Sequence, residues 1–238
     1  MFRKILLIKG FSVNDSELIN DRKILELYKK YFASNAGGVY ESTEIVALEE
    51  PSIETIDRFN DENQFLDSLI ILLLGHGGNR DGFQIFWIQK ELYIFPGQLN
   101  FSSKKQLFIV ESCRDIIEFD LLVEDLNGLV PKFKDGGKIE RPKTSKASKI
   151  KYNDEIDRIE NGITYLFASS ISESAYEYYF VQYLIIVARH YHEYGRRKIF
   201  SIQKIFDESR KVVIQKTKGK QNPILVGDGK FPFVVSII

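Results

Sequence analysis

The stretch Ser68–Leu74, with six consecutive Leu or Ile residues from Leu69 to Leu74, restricts the fold more than any other feature. A strand with one wet face alternates apolar and polar residues, and this run does not. Both of its faces must therefore be covered, which places it in the middle of a parallel sheet with helices on either side. At this length it cannot cross a membrane. Lys4–Lys9 and Gln106–Glu111 read as further buried strands, and Thr43–Leu48 as another. Between them the periodicity changes. Asp21–Ala33 carries Ile24, Leu25, Tyr28, Tyr31 and Phe32 on one helix face, and Ser52 is placed to cap a helix bearing Ile53, Ile56 and Phe59. Strands alternating with helices predict an α/β fold with right-handed crossovers.

Phe83–Phe95 reads as two short strands turning near Lys90 and Glu91, and Ile163–Ala168 as a strand. Tyr176, Phe180, Leu184, Val187 and Tyr191 mark one helix face, and Ile202, Ile205, Phe206 and Val213 another. Pro223–Val226 and Phe233–Ile237 are the last expected strands. Pro131–Lys151 differs from all of these, with eight basic and two acidic residues and no apolar periodicity, and is expected to be a mobile surface linker. At 238 residues, one domain or two closely packed halves is the natural organisation.

Basic and acidic residues balance at 33 each, so nothing global points to nucleic acid or an acidic membrane as partner. The linker lacks the interleaved aromatics of a single-strand binder. Met1–Gly10 is short for a signal peptide and has no cleavage pattern. A single cysteine excludes an internal disulfide and fits a reducing compartment, so a cytoplasmic location is expected. One Cys with His76, His190 and His192 makes a poor metal set, and no metal is expected. His190 and His192 are two apart on one helix and face different ways.

Active residues of parallel sheets lie at the carboxyl ends of strands. Leu74-Gly75-His76-Gly77-Gly78 follows one buried strand, and Glu111-Ser112-Cys113-Arg114-Asp115 ends the next. A lone cysteine after a strand is more often a small buried hydrophobe than a nucleophile. The ordered placement of His and Cys on successive strand ends, with glycines beside the His, makes a thiol–imidazole pair the better reading. An imidazole can take the thiol proton and return it to a leaving amine, worth roughly a hundred- to ten-thousandfold.

On these residues the chain resembles the caspase-like superfamily of cysteine peptidases, which includes metacaspases and paracaspases. There a strand ending in His-Gly precedes a strand ending in the catalytic Cys. The basic linker sits where caspases join their large and small subunits, and Gln221-Asn222-Pro223 and Phe231–Ser236 look like the closing strands of the small subunit. The resemblance implies a three-layer α/β/α sandwich with a mostly parallel sheet of about six strands. It divides the chain into a large-subunit-like part (1–125), a linker (126–160) and a small-subunit-like part (161–238). It also implies peptide-bond hydrolysis by His76 and Cys113, with Gly77 and Cys113 supplying oxyanion N–H donors and Gly77 leaving room for substrate backbone. The chain departs from the caspase signature, keeping only Cys113 and Arg114, and its His–Cys spacing of 37 is shorter than the roughly 50 of caspases.

In the family the residue two before the Cys lines the S1 pocket. Caspases carry Gln there; metacaspases and paracaspases carry Asp and cut after Arg or Lys. Glu111 places this chain nearer the second group. The loop after the first strand has no arginine and offers Asp15, and Glu173 is a further candidate wall. Cleavage after Arg or Lys is therefore expected, on a protein or peptide substrate, and autoprocessing near Lys143, Lys146 or Lys149 with it. No cofactor is required by this chemistry; calcium activation is possible, since calcium dependence varies within the metacaspase branch. A regulatory protein partner is the expected means of control. The competing readings are a catalytically silent scaffold of the same fold, a peptidase with acidic P1 preference, and a flavodoxin-like domain using Gly75–Gly78 as a phosphate loop.

Overall fold

The computed structural model describes residues 1–81, 83–113, 145–170, 173, 175, 178–195 and 199–236. The chain runs β1 (Arg3–Lys9), α1 (Asp15–Ala33), β2 (Ile45–Glu49), α2 (Ile53–Glu62), β3 (Ser68–Arg80), β4 (Phe83–Gln89), β5 (Leu92–Ile94) and β6 (Lys105–Cys113). After the intervening residues come α3 (Ser145–Arg158), β7 (Gly162–Phe167), α4 (Tyr179–Tyr194), β8 (Ile199–Ser201), α5 (Ile202–Lys216), β9 (Ile224–Val226) and β10 (Pro232–Val235). The central sheet has the order β2-β1-β3-β6-β7-β9. All neighbours in it are parallel except the last, where β9 runs against β7. The expected sheet of about six strands between helical layers is what forms.

Alternation along β3 explains the two cores. Ile70, Leu72 and Leu74 enter one cluster with α1, α3, α4 and α5. Leu69, Ile71 and Leu73 enter the other, with α2, Phe101 and the β4–β5 hairpin. Every one of these six is at most 1% exposed, so no position on the strand could be polar without loss. Tyrosines on the helices bind the first core to α4 and to the end of the chain. Tyr31 donates to the Phe233 carbonyl at 2.7 Å, Tyr152 to that of Pro232 at 2.8 Å, and Tyr28 to that of Val181 at 3.0 Å. Burial pushes all three phenols well above the usual tyrosine range, so they stay neutral donors.

Several boundaries differ from the sequence-based expectation. α1 starts at Asp15, not near Asp21, because the Asn14 side chain accepts from Glu17 N–H and opens the helix earlier. The end of the expected linker is not loose. Ser145–Lys151 belong to α3, which Tyr152 and Ile156, both fully buried, fasten to the core just beyond the charged stretch. The rest of it, residues 131–144, lies outside the described residues. β10 does not close the central sheet; it pairs with β8 in a small antiparallel sheet of its own. No described helix is long and apolar enough to cross a membrane.

Arg3, 2% exposed, lies under this construction. Its guanidinium contacts Glu44 at 3.2 Å, donates to the Val39 carbonyl at 2.9 Å and sits 3.9 Å from the Tyr40 ring centroid. Lys149 of α3 reaches Glu41 at 2.7 Å and Glu44 at 3.4 Å. Burial works against the Glu44 charge, but the Glu41 N–H and Arg3 hydrogen bonds, with the charges of Arg3 and Lys149, outweigh it and hold the carboxyl below its ordinary value. Such a group stabilises the fold above its unfolded pKa and loses that contribution as pH falls through the lowered folded value.

Leu72→Ala is expected to cost about 2–5 kcal/mol in urea denaturation, against less than about 0.5 kcal/mol for Ile163→Ala at the exposed start of β7. Glu44→Gln should be less stable than wild type at neutral pH. The gap should close as pH is lowered past the ordinary glutamate value of 4.5; a pH-independent gap in parallel denaturation curves would contradict the ion-pair account.

Candidate active site

β3 changes partners at the residues that matter. Up to Leu74 it lies between β1 and β6, and from Gly77 it pairs antiparallel with β4. Gly75 takes φ +149°, a conformation side chains rarely adopt, and a Cβ there would stand 3.3 Å from the Gly10 Cα. Gly10 N–H in turn donates to the Leu74 carbonyl at 2.8 Å, so the loop after β1 is laid directly over the turn. A side chain on Gly10 would overlap the Trp87 carbonyl.

Immediately beyond the turn, His76 is the register partner of Cys113 on β6. Adjacent strands lie about 4.8 Å apart, so the two backbones are neighbours at the carboxyl edge of the sheet. The His76 side chain is 18% exposed, and its Nε2 lies 2.5 Å from Glu17 Oε1. Its ring also packs near Phe11, with centroids 6.2 Å apart. Glu17 Oε2 accepts from the Val13 N–H at 2.6 Å. Burial opposes the Glu17 charge, but the His76 and Val13 hydrogen bonds, with the charges of His76 and Lys9, prevail and hold its carboxyl below the usual value.

A second polar chain lies beside this one. Lys9, 1% exposed at the end of β1, bonds Ser12 and Glu50, each at 2.9 Å. Ser12 donates to Asp21 Oδ2 and Tyr178 to Asp21 Oδ1, both at 2.7 Å. Burial raises the Asp21 pKa despite those two hydrogen bonds. The loop after β1 is thereby fastened to the first turns of α1 and the start of α4.

The expected S1 residues are dispersed. Glu111 is 1% exposed, and its Oε2 accepts from Val181 N–H of α4 at 3.2 Å, so it lies beneath the site instead of on an open wall. Glu173 spends both oxygens on Asn222, at 2.9 Å to the backbone N–H and 2.8 Å to the side-chain amide. Asp15 is exposed in the first turn of α1. The space a Gly77 side chain would take is filled by Ser112 and the Ile85 carbonyl. The glycine is thus required by packing between β3 and β6, a reason other than the expected room for substrate.

Lys146 and Lys149 lie in the first turns of α3, Lys149 in its ion pairs, so neither presents the extended backbone a protease cleft takes; Lys143 lies outside the described residues. His192 Nδ1 lies 2.5 Å from the Val235 carbonyl, and His190 packs on Tyr194. Among the described residues no group of three or more His, Cys, Asp or Glu could hold a metal ion. Glu17 was not foreseen as a site residue. The signal was present: Asn14 followed three residues later by Glu17 is a helix-start pattern that puts the acid at the carboxyl end of β1.

The sequence profile of the caspase domain matches residues 40–230. The chain belongs to the caspase-domain family. Two solved caspases share its architecture: pro-sf-caspase-1, with a TM-score of 0.53 and 12% identity over 94% of this chain and 90% of that one, and the Drosophila initiator caspase Dronc, with a TM-score of 0.57 and 9% identity over 98% and 82%. At such identities the likeness is one of fold. No curated protein matches the sequence. Within the caspase domain, the His-Gly and Cys strands are neighbours, with Leu69–Leu74 and Leu107–Val110 buried on both faces of the sheet.

Gly75→Ala is expected to cost about 1–3 kcal/mol from backbone strain alone. Urea denaturation should show it, together with faster proteolysis of the loop after β1.

Proposed function

We propose that this caspase-domain chain is a cysteine endopeptidase that cuts after Arg or Lys. The observation that carries the reading is the register pairing of His76 with Cys113 at the carboxyl edge of the sheet. The Cys113 thiolate adds to the scissile carbonyl. Backbone N–H groups of Gly77 and Cys113 receive the oxyanion, where fixed dipoles act without reorganisation. His76 gives the proton to the departing amine, leaving a thioester on Cys113. It then takes a proton from the water that hydrolyses the thioester, and the enzyme is restored.

The P1 preference rests on charge. Asp15, Glu17 and Asp21 follow β1, Glu111 ends β6, and Glu173 follows β7. The described residues of the loops after β1 and β7 hold no lysine or arginine, and buried Lys9 is paired with Glu50. Of these acids Asp15 is exposed and the others are buried or partnered; with no described cation in these loops, the balance of charge favours a cationic side chain over an Asp. Glu111 acts as a charge under the pocket floor, the same charge that helps raise the Tyr28 phenol after burial has done so.

Fluorogenic peptides with Arg, Lys or Asp at P1, with and without calcium, should be cleaved after Arg or Lys by the wild type and not by Cys113→Ala. Glu111→Gln should lose about tenfold or more of kcat/KM on the Arg peptide. Turnover of the Asp peptide alone would overturn the specificity. No turnover in any condition would favour a scaffold.

A further inference from the structure

We infer that Glu17 is the positioning residue of the site: its carboxylate holds the His76 ring through Nε2, which leaves Nδ1 for the proton chemistry. This rests on the peptidase reading above and adds a third group to what the sequence offers as a pair.

The geometry leaves Glu17 little freedom. Oε1 lies 2.5 Å from His76 Nε2, and Oε2 accepts from Val13 N–H at 2.6 Å. The Glu17 N–H donates to Asn14 Oδ1 at 2.9 Å. With both oxygens engaged, the carboxylate cannot turn without breaking one contact. It also lies in the first turn of α1, where the helix dipole favours an anion. The side chain is 7% exposed, so water screens the pair weakly. The charged groups that face it are Lys9, Asp21 and His76. Lys9 is shared with Glu50 and Ser12, and Asp21 is engaged by Ser12 and Tyr178. His76 is therefore the cation for which Glu17 is placed.

An imidazole held through one nitrogen by a carboxylate has its ring plane and tautomer set. The carboxylate also stabilises the imidazolium that forms when the thiol gives up its proton, and so favours the thiolate–imidazolium state of the pair. The competing account is that Glu17 merely straps the loop after β1 through Val13.

Glu17→Gln separates the two, because the amide oxygen can still accept from Val13 while the charge is gone. Three readouts apply to the full chain: peptide kinetics on P1-Arg substrate, the His76 titration by NMR (assigned by the signal lost in His76→Asn), and iodoacetamide alkylation against pH. The chain has one cysteine, so alkylation reports on Cys113 alone. The expected result is a kcat lowered about ten- to a hundredfold with KM within about twofold. The His76 midpoint should fall by about one unit or more, and alkylation near pH 6 by about tenfold, with Tm little changed. Glu17→Asp should restore part of the midpoint shift. Unchanged kcat, midpoint and alkylation profile in Glu17→Gln would overturn the inference. If the wild type cleaves no peptide, the peptidase reading fails by itself, and the midpoint and alkylation still decide the role of Glu17.

Discussion

The pairing of β3 with β6 is the contact on which the rest depends. Nine register pairs run from Ser68 and Lys105 to His76 and Cys113, the longest ladder in the sheet. Its interior is apolar on both faces, so a slip of one residue would keep the strands dry yet remove His76 from its place opposite Cys113. Glycine packing resists that slip. Ser112 fills the space beside Gly77, and its hydroxyl is also bonded to the Gln84 amide of β4. A structural constraint at one residue thus sets the position of the next.

The second determinant is the loop after β1. It has no regular structure, yet hydrogen bonds engage it from several elements: Gly10 to β3, Phe11 to the Trp87 carbonyl, Ser12 to Lys9 and Asp21, and Val13 to Glu17. Burying a lysine and two carboxylates here is costly unless each is paired, and each is. Such polar groups stabilise less than an equal volume of leucine would. What they provide is direction, since a hydrogen bond fixes an angle and an apolar contact does not.

The sequence revealed most of the sheet because burial on both faces leaves a plain mark, as in Leu69–Leu74 and Gln106–Glu111. It pointed to His76 and Cys113 because each directly follows a run buried on both faces, although β3 itself continues past His76 to Arg80. It concealed what depends on chain reversal through space. Nothing near Glu111 in sequence indicates Val181, seventy residues away, as its partner. Charge misled at α3. Its lysines resemble a solvated linker, and the residues that dock it, Tyr152 and Ile156, are too few to give a clear period. β8 escaped because a three-residue strand carries little pattern, and the pairing of the expected last strand, β10, with it is a contact through space, beside the tyrosine anchors of α1 and α3.

The order of the central strands has a consequence for covalent continuity. β6 precedes residues 114–144 and β7 follows them, yet the two are hydrogen-bonded neighbours over six register pairs. α3 adds Tyr152 to the core and Lys149 to the acids beside β2, while in α1 Tyr28 holds α4 and Tyr31 the far end of the chain. The parts before and after that segment are therefore not two bodies on a tether; each supplies half of one interior. A break in the backbone between them would leave a noncovalent heterodimer with the same core, one that migrates as a single particle in native conditions and as two fragments in detergent.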